Sequence, residues 1–568
     1  MLTLRLNVYN SDGRRGGRPP GPTRSFGSRS TAKGPTITTS VDTTSAVFAH
    51  NLDAMRERLA ALETVLDEVR GGGGDRYVER HHARGKLLAR ERIELLLDED
   101  TSFLELQPFM AWGTEFVVGA SVVTGIGTVE GVQCAVLAHD PTVRGGASNP
   151  YTLRKVLRIA EIARENRLPL INLVESGGAD LPTQLDIFIP GGRMFRDLTQ
   201  LSAMGIPTVA IVFGNSTAGG AYVPGMCDYT VFVKGAAKVF LGGPPLVRMA
   251  TGEESDDEQL GGAEMHSRIS GLSDFLAEDE LDALRIGRDV VRRLNWRKRG
   301  PGPRVPAAGV ALPDREPETL LGIVSADLKV PFDTRELLRH VVDGSIYDEF
   351  KPSYGTSLST GWAEIHGYPV GILASVQGVL FSEEAQKAAQ FIQLANQKDV
   401  PLVFVHNTTG FMVGKEYEQG GIIKHGALFI NAVSNSTVPH LGVVVGASYG
   451  AANYAMSGRA YEPRFLFSWP SAVSSVMGPD QLAGVLSLVA RQAAEARGKP
   501  YDEEQDARTK AAVSGQIAAE QVALMISGRG YDDGIIDPRD TRTVLGLCLS
   551  VCDGAPVAGA EGFGVFRT

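Results

Sequence analysis

The chain has 568 residues, 43% hydrophobic and 21% charged, which is too long for one domain and apolar enough to bury more than one core. A formal net charge of -10 argues against nucleic acid as the main partner, because a phosphate backbone calls for a basic surface. No run of 18 or more apolar residues is present to span a membrane, and Cys134, Cys227, Cys548 and Cys552 lack the paired spacing of a disulfide framework or a zinc ribbon.

Residues Met1 to Ser45 are rich in Gly, Pro, Ser, Thr and Arg, with Asp12 and Asp42 the only acids. Such a segment has too little apolar surface to offset the entropy of ordering, so residues 1–46 read as a disordered tail. An Arg-rich, acid-poor start is also the composition of an organellar transit peptide, but the run from Arg14 to Pro22 (RRGGRPPGP) interrupts any amphipathic helix. The expected compartment is the cytoplasm, with the mitochondrial matrix as the alternative.

Leu52, Met55, Leu59, Leu62 and Leu66 recur at helical spacing and predict a leading helix over 47–70, and 86–98 reads as another. His81-His82 between them lies in an Arg-rich stretch that reads as a solvated face rather than a metal site. A helix beginning near Ser148, with Pro150 in its first turn, carries Val156, Ile159, Ala160 and Ala163 inward. The apolar run 170–174 (LINLV) reads as a buried parallel strand, followed by the loop Ser176-Gly177-Gly178-Ala179-Asp180. A second buried strand, 208–213, leads into Ser216-Thr217-Ala218-Gly219-Gly220-Ala221. The acidic run 253–258 lacks calcium-loop spacing and reads as a solvated loop. Breakers and bases then crowd 296–315, a candidate boundary.

Beyond it the same grammar returns. A helix near Ser382, with Glu383-Glu384 in its first turn, precedes the strand 402–405, a Gly-bearing loop, the strand 441–445 and another small-residue loop. Lys155 matches Lys387, Pro169 matches Pro401, Gly178 matches Gly410 and Pro207 matches Pro439, each pair 232 positions apart. A constant offset over some 70 residues marks an internal duplication. The predicted fold class is α/β in two tandem units, 47–305 and 306–568, and ligands in such sheets gather at the carboxyl ends of strands.

Small residues after buried strands let backbone N–H groups approach a ligand, and two such groups beside a helix N-terminus could hold negative charge developing on a thioester oxygen. Tight turns and close helix–sheet packing would call for the same glycines. No HExxH or P-loop occurs, and no metal is expected on this chain.

These loops lie in a sequence that resembles the carboxyltransferase (β) subunits of biotin-dependent acyl-CoA carboxylases, which are built from two crotonase-like domains. The resemblance runs over nearly the whole chain after residue 47. It includes HHARGKLLARERIELLLD (81–98), SGGADLPTQ (176–184), GNSTAGGAYVPGMCD (214–228), FLGGPPLVRMATGE (240–253), EQLGGAEMH (258–266), TTGFMVGKEYEQGGIIKHGA (408–427), GRAYEPRFLFSW (458–469) and VMG (476–478). FLGGPPLV, TGFMVG and GRAYEPRFLF are similar to the branch acting on 3-methylcrotonyl-CoA or geranyl-CoA.

The resemblance implies that the first unit binds a coenzyme A ester and the second binds biotin. Their active site would form between one subunit's first unit and a partner's second, in a homo-oligomer, a hexamer joined by α subunits. Carboxybiotin would come from that α subunit, which carries the biotin carboxylase and biotin carrier functions; this chain has no Met-Lys biotin-attachment motif and no ATP loop. Two enolates need two oxyanion holes: Gly177, Gly178 and Gly219 are the candidates on the thioester side, Gly410, Phe411, Ala451 and Ala452 on the biotin side. Ala179, Gly220, Ala221, Gly242, Gly243, Val413, Gly414, Tyr449, Gly450 and Tyr454 are the implied binding residues around them.

Two places depart from the family pattern. Gly450-Ala451-Ala452-Asn453-Tyr454 stands where Gly-Ala-Gly-Asn-Tyr is usual, and an alanine would disfavour a positive φ. His406-Asn407-Thr408-Thr409 replaces Gln-Asn-Ile-Thr. Competing readings are a biotin-dependent decarboxylase subunit and a non-catalytic acyl-CoA-binding scaffold. A third is a stand-alone crotonase-type hydratase or isomerase, for which Glu175 and Asp180 are the only tempting carboxylate pair.

Overall fold

The computed structural model describes residue 37 and residues 41–567, apart from 329, 331, 377 and 499. Most of the tail expected over 1–46 lies outside the described residues. Strands β1 (Leu104–Leu106), β2 (Val122–Val129), β3 (Val132–His139), β4 (Leu170–Ser176), β5 (Thr208–Thr217), β6 (Tyr229–Val233), β7 (Lys238–Phe240) and β8 (Phe275–Ala277) form one sheet, ordered β1-β2-β3-β4-β5-β6-β8 with β7 on β5. A second sheet holds β9 (Asp348–Phe350), β10 (Leu358–Ile365), β11 (Tyr368–Ser375), β12 (Gly378–Leu380), β13 (Leu402–Phe411), β14 (His440–Tyr449), β15 (Phe465–Ser468) and β16 (Val473–Ser475). Its order is β15-β14-β13-β11-β10-β9, with β12 on β13 and β16 on β14. Each sheet thus has an antiparallel hairpin feeding parallel strands, and the α/β unit expected from the repeat is present twice.

The hairpins close through two-residue tips in the left-handed region, Glu130-Gly131 and His366-Gly367, the geometry that matches strand twist. Each tip is held by an aspartate accepting both tip N–H groups, Asp98 in the first and Asp343 in the second. The central strands are buried on both faces, as their unbroken apolar runs require. They also run further than their apolar runs indicate: β5 and β13 continue into the polar loop residues.

The helix Pro150–Asn166 is capped by Asn149, whose side chain accepts from Tyr151 and Thr152 N–H, not by Ser148. Ser148 instead pairs with the first loop, donating to Gly178 O and accepting from Asp180 N–H. In the helix Ser382–Gln397, Glu384 reaches back to the N–H of Phe381. Both helices bury a lysine that ties the chain entering the hairpin. Lys155 donates to Gly119 O and Val122 O, and Lys387 to the carbonyls of Tyr354, Gly355 and Leu358. Burial pulls the Lys155 ammonium down to about 8.

The leading helix, Ala46–Arg70, leans on the turn Pro317–Gly322, with Asn51 donating to Gly322 O. Arg158 of the helix Pro150–Asn166 makes a two-pronged bond to Asp533 and reaches the carbonyls of Pro463 and Arg464. One apolar core runs continuously from Met55 and Leu137 to Val403 and Leu549.

Candidate active site

The first loop pair rises from the carboxyl ends of β4 and β5 and converges. Gly178 has φ +86°, and a Cβ placed there would stand 3.0 Å from Thr217 O and 3.7 Å from the Ala218 methyl. Only glycine fits that approach. A Cβ on Gly220 would stand 3.6 Å from Ser176 Oγ. The Ser176 hydroxyl donates to Gly146 O (3.0 Å) and accepts from the Gly178 N–H (3.2 Å).

The second copy repeats this arrangement 232 positions on. Thr408 Oγ1 donates to Gly378 O (3.0 Å) and accepts from the Gly410 N–H (3.4 Å). Ser176 and Thr408, Gly146 and Gly378, and Gly178 and Gly410 are matched pairs. No sequence pattern singles out these hydroxyls, since serine and threonine are common in any loop; the offset is the signal that finds them.

The candidate donors fall into distinct states. Gly177 N–H is taken by Gly145 O at 2.9 Å, so this glycine shapes the turn. Among the described residues, Gly178 N–H has only its 3.2 Å bond to Ser176 Oγ. Gly219 lies in the first turn of the short 3-10 helix Ala218–Ala221, and Ala451 and Ala452 in the first turn of the helix Gly450–Ala455, where N–H groups have no partner within the helix. The positive φ in the second copy falls on Gly450 (+57°), not on Ala451 or Ala452, so the alanines that depart from the family pattern carry no such strain.

Around these donors, Gly242 and Gly243 follow β7, whose register on β5 sets Val239 and Phe240 beside Ser216 and Thr217. Ala179 is exposed and Ala221 buried at either end of the first loop pair. A Cβ on Gly410 would meet nothing within 4 Å, so open space faces it, with exposed Val413 and Gly414 just beyond. Phe411 packs on the face of Gly426. The Tyr449 hydroxyl donates to Gln521 Oε1 at 2.9 Å. Tyr454 is half exposed and stacked on Tyr461, and its match in the first copy, Tyr222, is half exposed against Phe195. Among the described residues no hydrogen bond or ion pair joins the loops of one copy to those of the other.

Behind the first loop lies an ion cluster that sequence reasoning missed. Arg92, wholly buried, bonds Glu175 (2.8 Å) and Glu280 (2.7 Å) and lies over the Phe213 ring at 4.3 Å. Lys86 bonds Glu175 and donates to Phe213 O. Of the two histidines read as part of a solvated face, His82 does face out, toward Glu91, whereas His81 is buried against Leu87 O. Burial pushes the Glu175 carboxyl up, but Arg92 and Lys86 outweigh it and hold the group below its ordinary value. Asp180 is paired with Arg144 at 2.9 Å. Both carboxylates of the hydratase reading are thus committed to cations. No group of three or more metal-ligating side chains occurs among the described residues, and no helix among them is long and apolar enough to cross a membrane.

The carboxyl transferase domain family matches residues 80–560. A probable biotin-dependent acyl-coenzyme A carboxylase beta2 subunit of Mycobacterium tuberculosis is 65% identical over 524 residues, 91% of this chain and 98% of that one. The biotin-dependent 3-methylcrotonyl-coenzyme A carboxylase beta1 subunit of the same organism is 47% identical over 524 residues, 91% and 97% of the two chains. The crystal structure of the geranyl-CoA carboxylase beta subunit of P. aeruginosa superposes with a TM-score of 0.84 at 40% identity, covering 94% of this chain and 100% of that one.

Proposed function

We propose, on the premise that this chain belongs to the carboxyl transferase family and is a carboxyltransferase subunit of the biotin-dependent acyl-CoA carboxylases with two crotonase-like units, that its two loop pairs are two anion-stabilising sites. The unit 47–305 takes the acyl-CoA and the unit 306–568 the biotin. The observation that carries this reading is the matched hydroxyl bridge, Ser176 between Gly146 and Gly178, and Thr408 between Gly378 and Gly410.

On the acyl side, Gly178 and Gly219 N–H groups receive the thioester oxygen as the α-carbon loses its proton and charge moves onto that oxygen. Donors aimed where charge develops, in a site that excludes water, are each worth about 10²–10³ in rate. On the biotin side Gly410 and Ala451, with Phe411 and Ala452 beside them, hold the cofactor's carbonyl oxygen, and the open face at Gly410 leaves room for a flat ring. Carboxybiotin, borne by a partner α subunit, would supply the carboxyl group: its nitrogen–carboxyl bond would break to release CO₂, the biotin left behind would take the α-proton, and the new carbon–carbon bond would join the α-carbon to that CO₂, with no metal called for.

Leu181, Leu185, Phe188 and Ile189, directly after the first loop, are 73–88% exposed. An apolar face of this kind fits burial against a second copy, in keeping with a hexameric core joined by α subunits. The acyl group is a 3-methylcrotonyl-like or other short or branched chain, and the compartment is the cytoplasm, with the mitochondrial matrix as the alternative. The test supplies the purified chain with carboxylated biotin carrier and a panel of acyl-CoAs. Label transfer to branched esters is expected; transfer to none ends the reading, and transfer to short straight-chain esters alone ends the choice of branch.

A further inference from the structure

We propose that Lys86 is a positioning residue for the acyl half of the reaction alone: it cross-links the ends of β4 and β5 and so sets the spacing of the two loops that receive the thioester oxygen. Its ammonium bonds the carboxylate of Glu175, the residue before Ser176, and donates to Phe213 O (3.1 Å), the residue before Gly214. Gly178 and Gly219 are each carried a few residues beyond those two anchors.

The strands leave room for this device. A Cβ on Gly214 would stand 2.6 Å from a Glu175 carboxylate oxygen, so the side chain crosses from β4 over the backbone of β5. Arg92 fixes the other Glu175 oxygen and is itself fixed by Glu280, leaving Glu175 one orientation. With two carboxylates facing two cations the cluster adds little net field at the loop, and its effect is geometric.

The second copy has the same geometry without the charge. Asn407 matches Glu175 and Gly446 matches Gly214, and a Cβ on Gly446 would stand 2.4 Å from Asn407 Oδ1. No lysine or arginine is bonded to the Asn407 side chain among the described residues. The ionic cross-link therefore belongs to the first loop pair, and its removal should be felt on that side only.

This inference rests on the acyl assignment of the first unit, and the experiment separates the two. The chain assembled with its biotin-carrying partner is assayed for label transfer to acyl-CoA and, without acyl-CoA, for slow release of labelled CO₂ from the carboxylated carrier. For Lys86→Met, kcat of transfer should fall about 10- to 100-fold, the scale of a displacement near 1 Å, with KM for acyl-CoA within about twofold. CO₂ release should be unchanged, and Lys86→Arg should recover most of the transfer. Equal loss of both reactions, or no loss in an active wild-type background, overturns the inference. A wild type that transfers no label overturns the underlying reading instead. Should Lys86→Met not fold, Glu175→Gln decides: it keeps the volume, weakens the cross-link, and should lower transfer but not CO₂ release.

Discussion

Ala218 and Gly450 occupy the same place in the two copies, and both hold a left-handed backbone, φ +52° and +57°. Each stands between the last residue of a strand and the first free N–H groups of a helical turn, so the conformation aims those groups outward. Glycine adopts it at no cost, whereas an alanine costs about 1–2 kcal/mol. Gly450→Ala should destabilise the protein by about that amount, and by more because its Cβ would stand 3.1 Å from Val476 O. Ala218→Gly should leave stability nearly unchanged, relief of strain offsetting the freer unfolded chain. Denaturant midpoints of the two variants test this, and a Gly450→Ala protein as stable as its parent contradicts it.

Gly178 and Gly177 should respond differently to the same substitution. Gly178→Ala puts a methyl against Thr217 O at a φ that alanine resists, prising the two loops apart, and should lower kcat about 100-fold. Gly177 is not in the left-handed region, and its added Cβ would stand 3.3 Å from Gly145 O. Gly177→Ala should cost only a few-fold. Steady-state kinetics with a saturating carboxyl donor would show the order, and a reversed order would remove Gly178 from the site.

Arg158 and Asp533 are both buried, and the aspartate also accepts from Arg459 and from Leu466 N–H. Removing one member of a buried, hydrogen-bonded pair leaves an uncompensated charge, so Asp533→Ala should destabilise by ~3–5 kcal/mol. Arg158→Met with Asp533→Leu together should recover part of that loss, because the buried guanidinium goes with its carboxylate and the cation left without Asp533, Arg459, is partly exposed. Thermal unfolding of the single and double variants decides it.

Asp532, next in the chain, shifts in the opposite direction. Burial raises its carboxyl from 3.8 to about 6, against the lowering effect of the Ser468 and Ser527 hydroxyls. Between those values the folded protein holds a proton that the unfolded chain has released, so this group's contribution to stability is present at low pH and lost as pH rises toward 6. Asp532→Asn, which can keep bonds to both hydroxyls, should abolish that slope and gain relative to the parent above pH 6. Unfolding midpoints between pH 4 and pH 7 would show it, and identical profiles would contradict it.

How far the sequence anticipated this molecule depends on what kind of contact is asked about. The duplication was visible because buried strands and their turns obey local rules, and a constant spacing survives any amount of side-chain change; Gly178 and Gly410 could be matched before any coordinate was known. Near the start of the helix both Ser148 and Asn149 satisfy the local rule for a cap, and Ser148 is drawn off by Gly178 O, 30 residues away, which leaves the cap to Asn149. Arg92 was beyond reach for a similar reason: its partners Glu175 and Glu280 lie 83 and 188 positions along the chain. Which N–H groups are free was equally invisible, being decided by neighbours such as Gly145.

The bond between Arg158 and Asp533 also has a consequence for how the chain is made. Its two ends are 375 residues apart in sequence, so the guanidinium leaves the ribosome long before its carboxylate exists. Until residue 533 is made, Arg158 has Glu161 on its own helix but lacks the buried carboxylate that later fixes it. This part of the seam can therefore close only after residue 533 has emerged, and a polypeptide cut short before it leaves Arg158 without its aspartate.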